Sequence, residues 1–524
     1  MIQPDEMQET PLDRVLTRYF LQAGVDESHR ELLTRISLHL RNGSVCVPIE
    51  DKTSTELLQH PMIGNPEDST PLVIDQGKIF FRRYWEYERE ISDRILGFDA
   101  TASSLETDPQ MRAIDLATQL QFLVISGGPG TGKTWVVAKL LEALLLKNPK
   151  LRIRLAAPTG KAAARLDESI QAEWSTLDPQ IQLHQPDPAS TLHRLLGFRP
   201  QSILPRFGTK RRLPLDVLIV DEASMVDLAL MAKTFRALPD GGTLILLGDK
   251  DQLSSVEAGA VLGSLWEVAN LPNSTIAENV VLLTQNRRFG ENSGIGLLAT
   301  AFNQGEVEKA KSILADETKP DAAWCKHSIE DLVEERIAPL LAEKTRVETA
   351  FDIFDSFQFL CATRVGDAGV EAINMRVTEA LGFDRNQDEW YHGRPIMITT
   401  NDYSIHLFNG DIGITWLEED GIARVRFRTQ DGIRSVHPSR LPQHETVYAM
   451  TVHKSQGAQF DDVVLILPEY DVPILTRELV YTGITRARQT VSLMGTPANL
   501  TLAVERRIER HSGLMDKLRP EPST

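Results

Sequence analysis

The chain has 524 residues, 42% of them apolar and 25% charged, a net charge of −17 and three scattered cysteines, Cys46, Cys325 and Cys361. That length exceeds one hydrophobic core and predicts several domains. No run approaches the ~20 apolar residues of a membrane span, the cysteines exclude a disulfide framework or zinc site, and the acidic balance confines any nucleic-acid track to a narrow groove. The N-terminus lacks a basic, apolar leader, and with so few cysteines a cytoplasmic location is expected.

The first hundred residues read as a separate, mainly helical module. Residues 12–40 carry helical apolar spacing, 44–49 read as a short strand and 80–95 as a helix rich in Arg, Tyr and Trp. The polar stretch 99–110 marks a boundary. Beyond it, short apolar runs at 122–126, 153–157, 217–220 and 244–247 each end in a polar loop. Alternation with helix-compatible segments predicts a parallel sheet, with those loops together on its carboxyl edge. A second set, 357–362, 463–467 and 491–494, with a helix around 476–488, predicts a second α/β lobe. Between its parts, 393–445 reads as a small β insertion. The expected division is 1–105, a first lobe at 106–280, a second at 281–392 and 446–512, the insertion at 393–445, and a tail at 513–524, disordered from 519.

Gly127, Gly128, Pro129, Gly130, Thr131, Gly132, Lys133 and Thr134 fit G-x-x-x-x-G-K-T. Its glycines turn backbone N–H groups around phosphate oxygens, its Lys neutralises β/γ charge, and its Thr hydroxyl binds Mg²⁺. Asp221 and Glu222 end the 217–220 run. An Asp there can hold Mg²⁺, and a neighbouring Glu can polarise the attacking water. Gln252, after 244–247, is an amide suited to sensing the γ-phosphate, although Gly248-Asp249 is also an ordinary turn dipeptide. Thr159 opens a turn and helix start that reads equally as a phosphate seat or a plain cap.

Together with Thr191–Gly197, Asn286–Gly290, Thr451–Gly457 and Val480–Arg488, these segments resemble the ordered motifs of superfamily 1 helicases. The strings STLHRLLG, VDEASMVD, DQLSSVEAGAVLG, RRFGENSGIG, LFNGDIGI, PSRLPQHET and ERRIERHSGL most resemble the RecD family, the alpha subunits of exodeoxyribonuclease V (RecBCD). The resemblance runs nearly end to end. It implies two RecA-like P-loop lobes with parallel sheets, an SH3-like insertion in the second, and a partner-docking N-terminal domain. It implies ATP and Mg²⁺ as cofactors, 5′→3′ movement on single-stranded DNA, unwinding of double-stranded DNA in break repair and recombination, and RecB-like and RecC-like partners in a heterotrimer. The nuclease site then belongs to the beta chain. Carried onto matching positions, Gln110 reads adenine, Lys133, Glu222 and Gln252 serve hydrolysis, and Arg288 and Arg486 reach the γ-phosphate. Arg287 stands beside Arg288 where the family pattern has an aromatic, so one of that pair is the finger. Thr159, Thr191, His193, Thr451 and His453 are the DNA-track candidates. The alternative is a stand-alone relative of the same branch, whose N-terminal extension carries repeated hairpins that residues 1–100 lack.

Three other strings read more simply. Glu50-Asp51-Lys52 spells part of a nuclease signature but reads as solvated charge at a strand end. Gly294-Ile295-Gly296 reads as a helix-start turn. Arg82 to Trp85 reads as a packing face or partner interface.

Overall fold

A computed structural model describes residues 9–98, 102–199, 202, 204–286, 288–290, 292–341, 346–384, 389–402, 404–429 and 432–519. Arg287 and the expected disorder from 520 onward lie outside the described residues. The chain forms two compact units, 1–285 with 509–524, and 286–508.

The first unit begins with helices Pro11–Gln22 and Arg30–Arg41, so the expected 12–40 helix is two. The break falls at Gly24, whose φ of 102° suits a turn but not a helix. A four-stranded sheet follows, of order β1-β4-β3-β2: β1 (Cys46–Pro48), β2 (Ile63–Gly64), β3 (Leu72–Asp75) and β4 (Lys78–Phe81). Only β1 was legible in the sequence. Phe80 and Phe81 belong to β4, and the helix behind them is Arg82–Leu96.

The large sheet of this unit has order β10-β5-β9-β8-β6-β7, all parallel. Its strands are β5 (Phe122–Gly127), β6 (Ile153–Ala157), β7 (Ser190–Thr191), β8 (Val217–Val220), β9 (Thr243–Gly248) and β10 (Val280–Leu283). Leu123, Ile125, Ile219, Ile245 and Leu247 face one core with helices Lys133–Lys147 and Gly160–Trp174. Phe122, Val124, Leu218, Val220, Leu244 and Leu246 face the other. A parallel sheet must be covered on both faces. The second face is covered by Leu228–Ala237 and Val261–Ala269 together with Tyr87, Ile91 and Ile95 of the N-terminal region and Leu514 and Leu518 of the C-terminal segment.

Phe20, Leu33, Ile36, Val47, Leu57, Leu72 and Ile79 form a core of their own, whereas Val45 and the helix Arg82–Leu96 pack into the sheet's second core. Within the expected 513–524 tail, Leu514–Leu518 is a helix whose Leu514 and Leu518 are buried in that core. The first lobe also runs past 280, because β10 pairs with β5.

The second unit holds β11 (Ala322–Trp324) and β12 (Phe357–Cys361), then the insertion, β13 (Pro395–Ile398), β14 (Ile412–Leu417), β15 (Ala423–Thr429), β16 (Gly432–Val436) and β17 (His444–Thr446). The insertion is an antiparallel sheet of order β16-β15-β14-β13-β17 around Ile396, Ile398, Val425 and Phe427. The chain returns with β18 (Ala449–Thr451), β19 (Phe460–Ile466) and β20 (Ala487–Met494), giving a parallel sheet β11-β20-β19-β12-β18. Its edge strand β18 is held by Asn374, whose Nδ2 donates to the Ala449 carbonyl (3.0 Å) while its Oδ1 accepts from the Ala449 N–H (3.0 Å).

The three simpler strings are absorbed by the fold. Glu50 and Asp51 start the helix Asp51–Leu57. Gly294 and Ile295 donate their N–H groups to Asp321 at a helix start capped by Ser293. Trp85 is buried, its Nε1 donating to Asp75 at 2.7 Å. Among the described residues no helix is long and apolar enough to cross a membrane, and no group of three or more His, Cys, Asp or Glu side chains is placed to hold a metal.

Candidate nucleotide and nucleic-acid site

Strand order sets the site of the first unit. Along the carboxyl edge run the ends of β5, β9, β8, β6 and β7. The loops they feed carry, in that order, the glycine loop, Gln252, the Asp221-Glu222 pair, Thr159 and Thr191. With strands ~4.8 Å apart, the glycine loop and Asp221 are separated by about 10 Å. Gln252 leaves from the strand between them.

The glycine loop turns through Gly130 (φ 82°) and Gly132 (φ 81°), both in the left-handed region. Thr131 Oγ1 donates to the Gly128 carbonyl (2.7 Å) and closes the turn. A Cβ on Gly127 would lie 2.6 Å from Thr131 Oγ1, so the strand end admits no side chain. Lys133 begins the helix and its ammonium donates to the carbonyls of Gly127 and Gly128. Thr134 follows on the same first turn, where helix N–H groups present positive potential.

Gln110 stands behind this loop. Asp108 caps its helix, Pro109–Ala117, by accepting from Gln110 N and Met111 N, each at 3.0 Å. Gln110 Nε2 donates to the Thr131 carbonyl (2.8 Å), and its Oε1 is buried without a partner. A small pocket there is lined by Asp108, Pro109, Gln110, Thr131, Leu283, Thr284 and Gln285. A planar amide with an unspent acceptor at the mouth of a pocket is suited to reading a base edge.

Asp221 hangs from the end of β8, its N–H donating to the Ala156 carbonyl (2.9 Å). Its Oδ1 is enclosed without a partner. Burial, and then the charge of Glu222, push its carboxyl up to about 6, against the pull of Lys133 and Arg165. Glu222 has a φ of 51°, a left-handed conformation that a side chain adopts at a cost of about 1 kcal/mol. An uncompensated carboxylate oxygen within reach of Lys133 fits a hard cation. Gln252 is buried and donates Nε2 to Asp249 Oδ2 (3.0 Å), while Asp249 Oδ1 accepts from Asp251 N (3.0 Å). Lys250 N donates to Ser126 Oγ on β5 (3.2 Å), which ties this turn to the glycine-loop strand. Sequence reasoning missed Asp249 and Ser126. The Gly-Asp turn signal was visible, but not what the carboxylate holds.

Thr159 and Thr191 are both helix N-caps, accepting from Ala162 N and Arg194 N, each at 3.2 Å. His193 packs on Phe198 with ring centroids 4.9 Å apart, and desolvation lowers its imidazole pKa against the pull of Asp227.

In the second unit the expected residues fall on opposite edges of the sheet. Thr451 ends β18 on the carboxyl edge, where its Oγ1 accepts from Lys454 N (3.3 Å). His453 lies in the turn that follows. Arg486 immediately precedes β20, on the amino edge. It is 2% exposed, and its guanidinium donates to the carbonyls of Thr482 (3.0 Å) and Ala458 (3.3 Å). The segment 452–459 therefore runs from the DNA-track candidates to a carbonyl that Arg486 holds. Arg288 is exposed; desolvation, then the charges of Arg486 and Arg488, push its guanidinium down to about 10.

Two lobes, each built on a parallel sheet, with a glycine loop and an acidic pair on the carboxyl edge of the first, define a two-lobed P-loop protein. Comparison with known proteins narrows the class. A family model described as an AAA domain matches residues 110–258, and one described as a UvrD-like helicase C-terminal domain matches 446–494. The RecBCD enzyme subunit RecD of Mycolicibacterium smegmatis is 37% identical over 97% of this chain and 96% of its own length. That of Haemophilus influenzae is 35% identical over 96% and 89%. The ATP-dependent RecD2 DNA helicase of Deinococcus radiodurans is 31% identical over 79% of this chain but 52% of its own. The chain belongs to the RecD family of RecBCD enzyme subunits.

Proposed function

We propose that this chain is the ATP-dependent 5′→3′ DNA helicase and translocase subunit of a RecBCD-type exodeoxyribonuclease V heterotrimer. It works in the cytoplasm in double-strand break repair and recombination, unwinding double-stranded DNA for degradation by a partner nuclease. The observation that carries this reading is co-linearity with RecD over 96% of that protein. The match to the ATP-dependent RecD2 DNA helicase spans only 52% of that protein, which argues against the stand-alone alternative.

In this reading Gln110 accepts from the adenine, the backbone N–H groups of Gly128 and of Gly130 to Thr134 hold the phosphates, and Lys133 neutralises their charge. Thr134 and Asp221 hold Mg²⁺, which when bound offsets the charge of the β- and γ-phosphates. Glu222 orients the attacking water and accepts its proton, and Gln252 senses the γ-phosphate. Arg486, with Arg288 or its neighbour Arg287, stabilises charge developing in the transition state. Thr159, Thr191, His193, Thr451 and His453 grip single-stranded DNA, chiefly through phosphate and base stacking, so binding should weaken with salt. The insertion, a five-stranded antiparallel sheet, is read as SH3-like from the family resemblance.

Unwinding of 5′-tailed and 3′-tailed duplexes, by the chain alone and with its beta and gamma partners, tests this. The 5′-tailed substrate should be opened and the 3′-tailed one left intact by the chain alone. Equal or reversed preference would refute the polarity.

The N-terminal region offers a docking face. Leu12, Val15 and Tyr19, at i, i+3 and i+7 on the first helix, are 58%, 62% and 55% exposed. An apolar stripe of this kind marks a partner surface. Deleting the whole region would uncover Tyr87, Ile91 and Ile95 and destabilise the first lobe, at roughly 1.5–3 kcal/mol per buried side chain. Point changes are cleaner. Leu12→Glu with Val15→Glu should abolish capture by the partner chains while DNA-stimulated ATPase stays within about twofold. Undiminished capture in a pull-down would remove this helix from the interface.

A further inference from the structure

The string ERRIERHSGL, residues 505–514, has no role in the site described above. Its first part is bonded within the second unit. The Arg506 carbonyl accepts from Arg477 N (2.8 Å), and Ile508 N donates to Glu478 Oε2 (3.1 Å), both on the helix Arg477–Ile484 that precedes Arg486. Two residues later the chain is bonded within the first unit. Arg510 Nη2 donates to the Ser255 carbonyl (2.7 Å) and Nη1 to the Glu257 carbonyl (3.3 Å). His511 O accepts from Val45 N (2.8 Å), and Gly513 N donates to the fully buried Glu88 (3.0 Å).

Ser255 and Glu257 lie three and five residues beyond Gln252. Their loop is cross-tied: Ser255 Oγ donates to the carbonyls of Glu257 (2.9 Å) and Gly259 (3.0 Å). Leu228 N, six residues past Glu222, donates to the Ala258 carbonyl (3.2 Å). One guanidinium thus grips the loop that joins Gln252 to the segment after the acidic pair.

This arrangement is expensive for a purely structural part. The guanidinium has carbonyl acceptors and no carboxylate within ion-pair distance among the described residues, its Nε is buried without a partner, and desolvation lowers its pKa to about 10. An apolar side chain would fill such a space at less cost. A planar fork, in contrast, sets two carbonyls at a defined spacing.

We propose that Arg510 is a positioning residue for hydrolysis: it sets the Ser255–Glu257 loop, and so Gln252, in register with the glycine loop. The inference rests on the proposed ATPase reading.

Three variants of the full chain in complex with its partners test it, with steady-state ATPase on single-stranded DNA and thermal unfolding measured for each. Arg510→Ala should lower kcat by roughly tenfold while KM for ATP stays within about twofold. Arg510→Lys keeps charge without the fork and should recover only part of that loss. Gly43→Ala perturbs the same group from outside, since its Cβ would lie 2.5 Å from the Arg510 guanidinium carbon; it should lower kcat likewise, and add little when combined with Arg510→Ala. An unchanged kcat in Arg510→Ala, or a kcat loss that disappears well below a lowered melting temperature, would reduce Arg510 to a strut. Lys133→Gln run alongside separates the two ideas. If turnover survives in that variant, the site assignment fails; if it is lost while Arg510→Ala is normal, only this inference fails.

Discussion

Lys133→Gln should abolish DNA-stimulated ATP hydrolysis, lowering kcat by roughly 10³-fold or more, equivalent to ~4 kcal/mol of lost transition-state stabilisation. The ammonium stands at the first turn of Lys133–Lys147, bonded to the carbonyls of Gly127 and Gly128. Glutamine, one bond shorter, carries no charge to set against developing phosphate oxyanions. The fold should be nearly untouched, because the neutral amide can keep one of those hydrogen bonds, each worth about 1 kcal/mol. Phosphate release with and without single-stranded DNA, together with a melting curve, checks both halves. Turnover within a few fold of the unaltered chain would sink the assignment of this loop.

The second large effect is expected at Arg486. Arg486→Ala should keep ATP binding within a few fold and lose hydrolysis by roughly 10³-fold, the scale of an arginine finger. Its burial at 2% exposure adds a structural component, because three of its contacts are to Thr482, Ala458 and Thr485 of its own unit. Some loss of stability, about 1–3 kcal/mol, should therefore accompany the kinetic loss. Arg486→Lys separates the two by restoring charge without the planar fork. Fluorescent-nucleotide binding and single-turnover hydrolysis on the same preparations decide the matter: equal losses in both would argue against a finger. The hydrogen bond to the Ala458 carbonyl also ties this arginine to the segment that carries the proposed DNA contacts Thr451 and His453.

Legibility differed from one part of the chain to another. The glycine loop, Asp221-Glu222 and the strands behind them were readable because strongly apolar runs ending in specific polar strings leave few other structures open. Their lateral order was not. That Gln252 issues from the strand between the glycine loop and the acidic pair follows from β9 lying between β5 and β8, a pairing choice that single-strand periodicity does not encode. β2 to β4 were missed because two to four residues are too few to establish alternation. Asp249 was visible only as half of a turn dipeptide, although its carboxylate holds Gln252 in place.

The opening boundary shows the same division. By itself the sequence determined a two-lobed P-loop architecture and membership of the RecD family, since each depends on local strings in a given order. Only the tertiary structure decided that residues 82–98 and 514–518 belong to the first lobe's core. A parallel sheet demands cover on both faces, and the chain meets that demand with segments more than 400 residues apart. It alone also brought Arg510 onto the carbonyls beside Gln252, because a side-chain fork gripping backbone oxygens leaves no pattern in the residues whose carbonyls it holds.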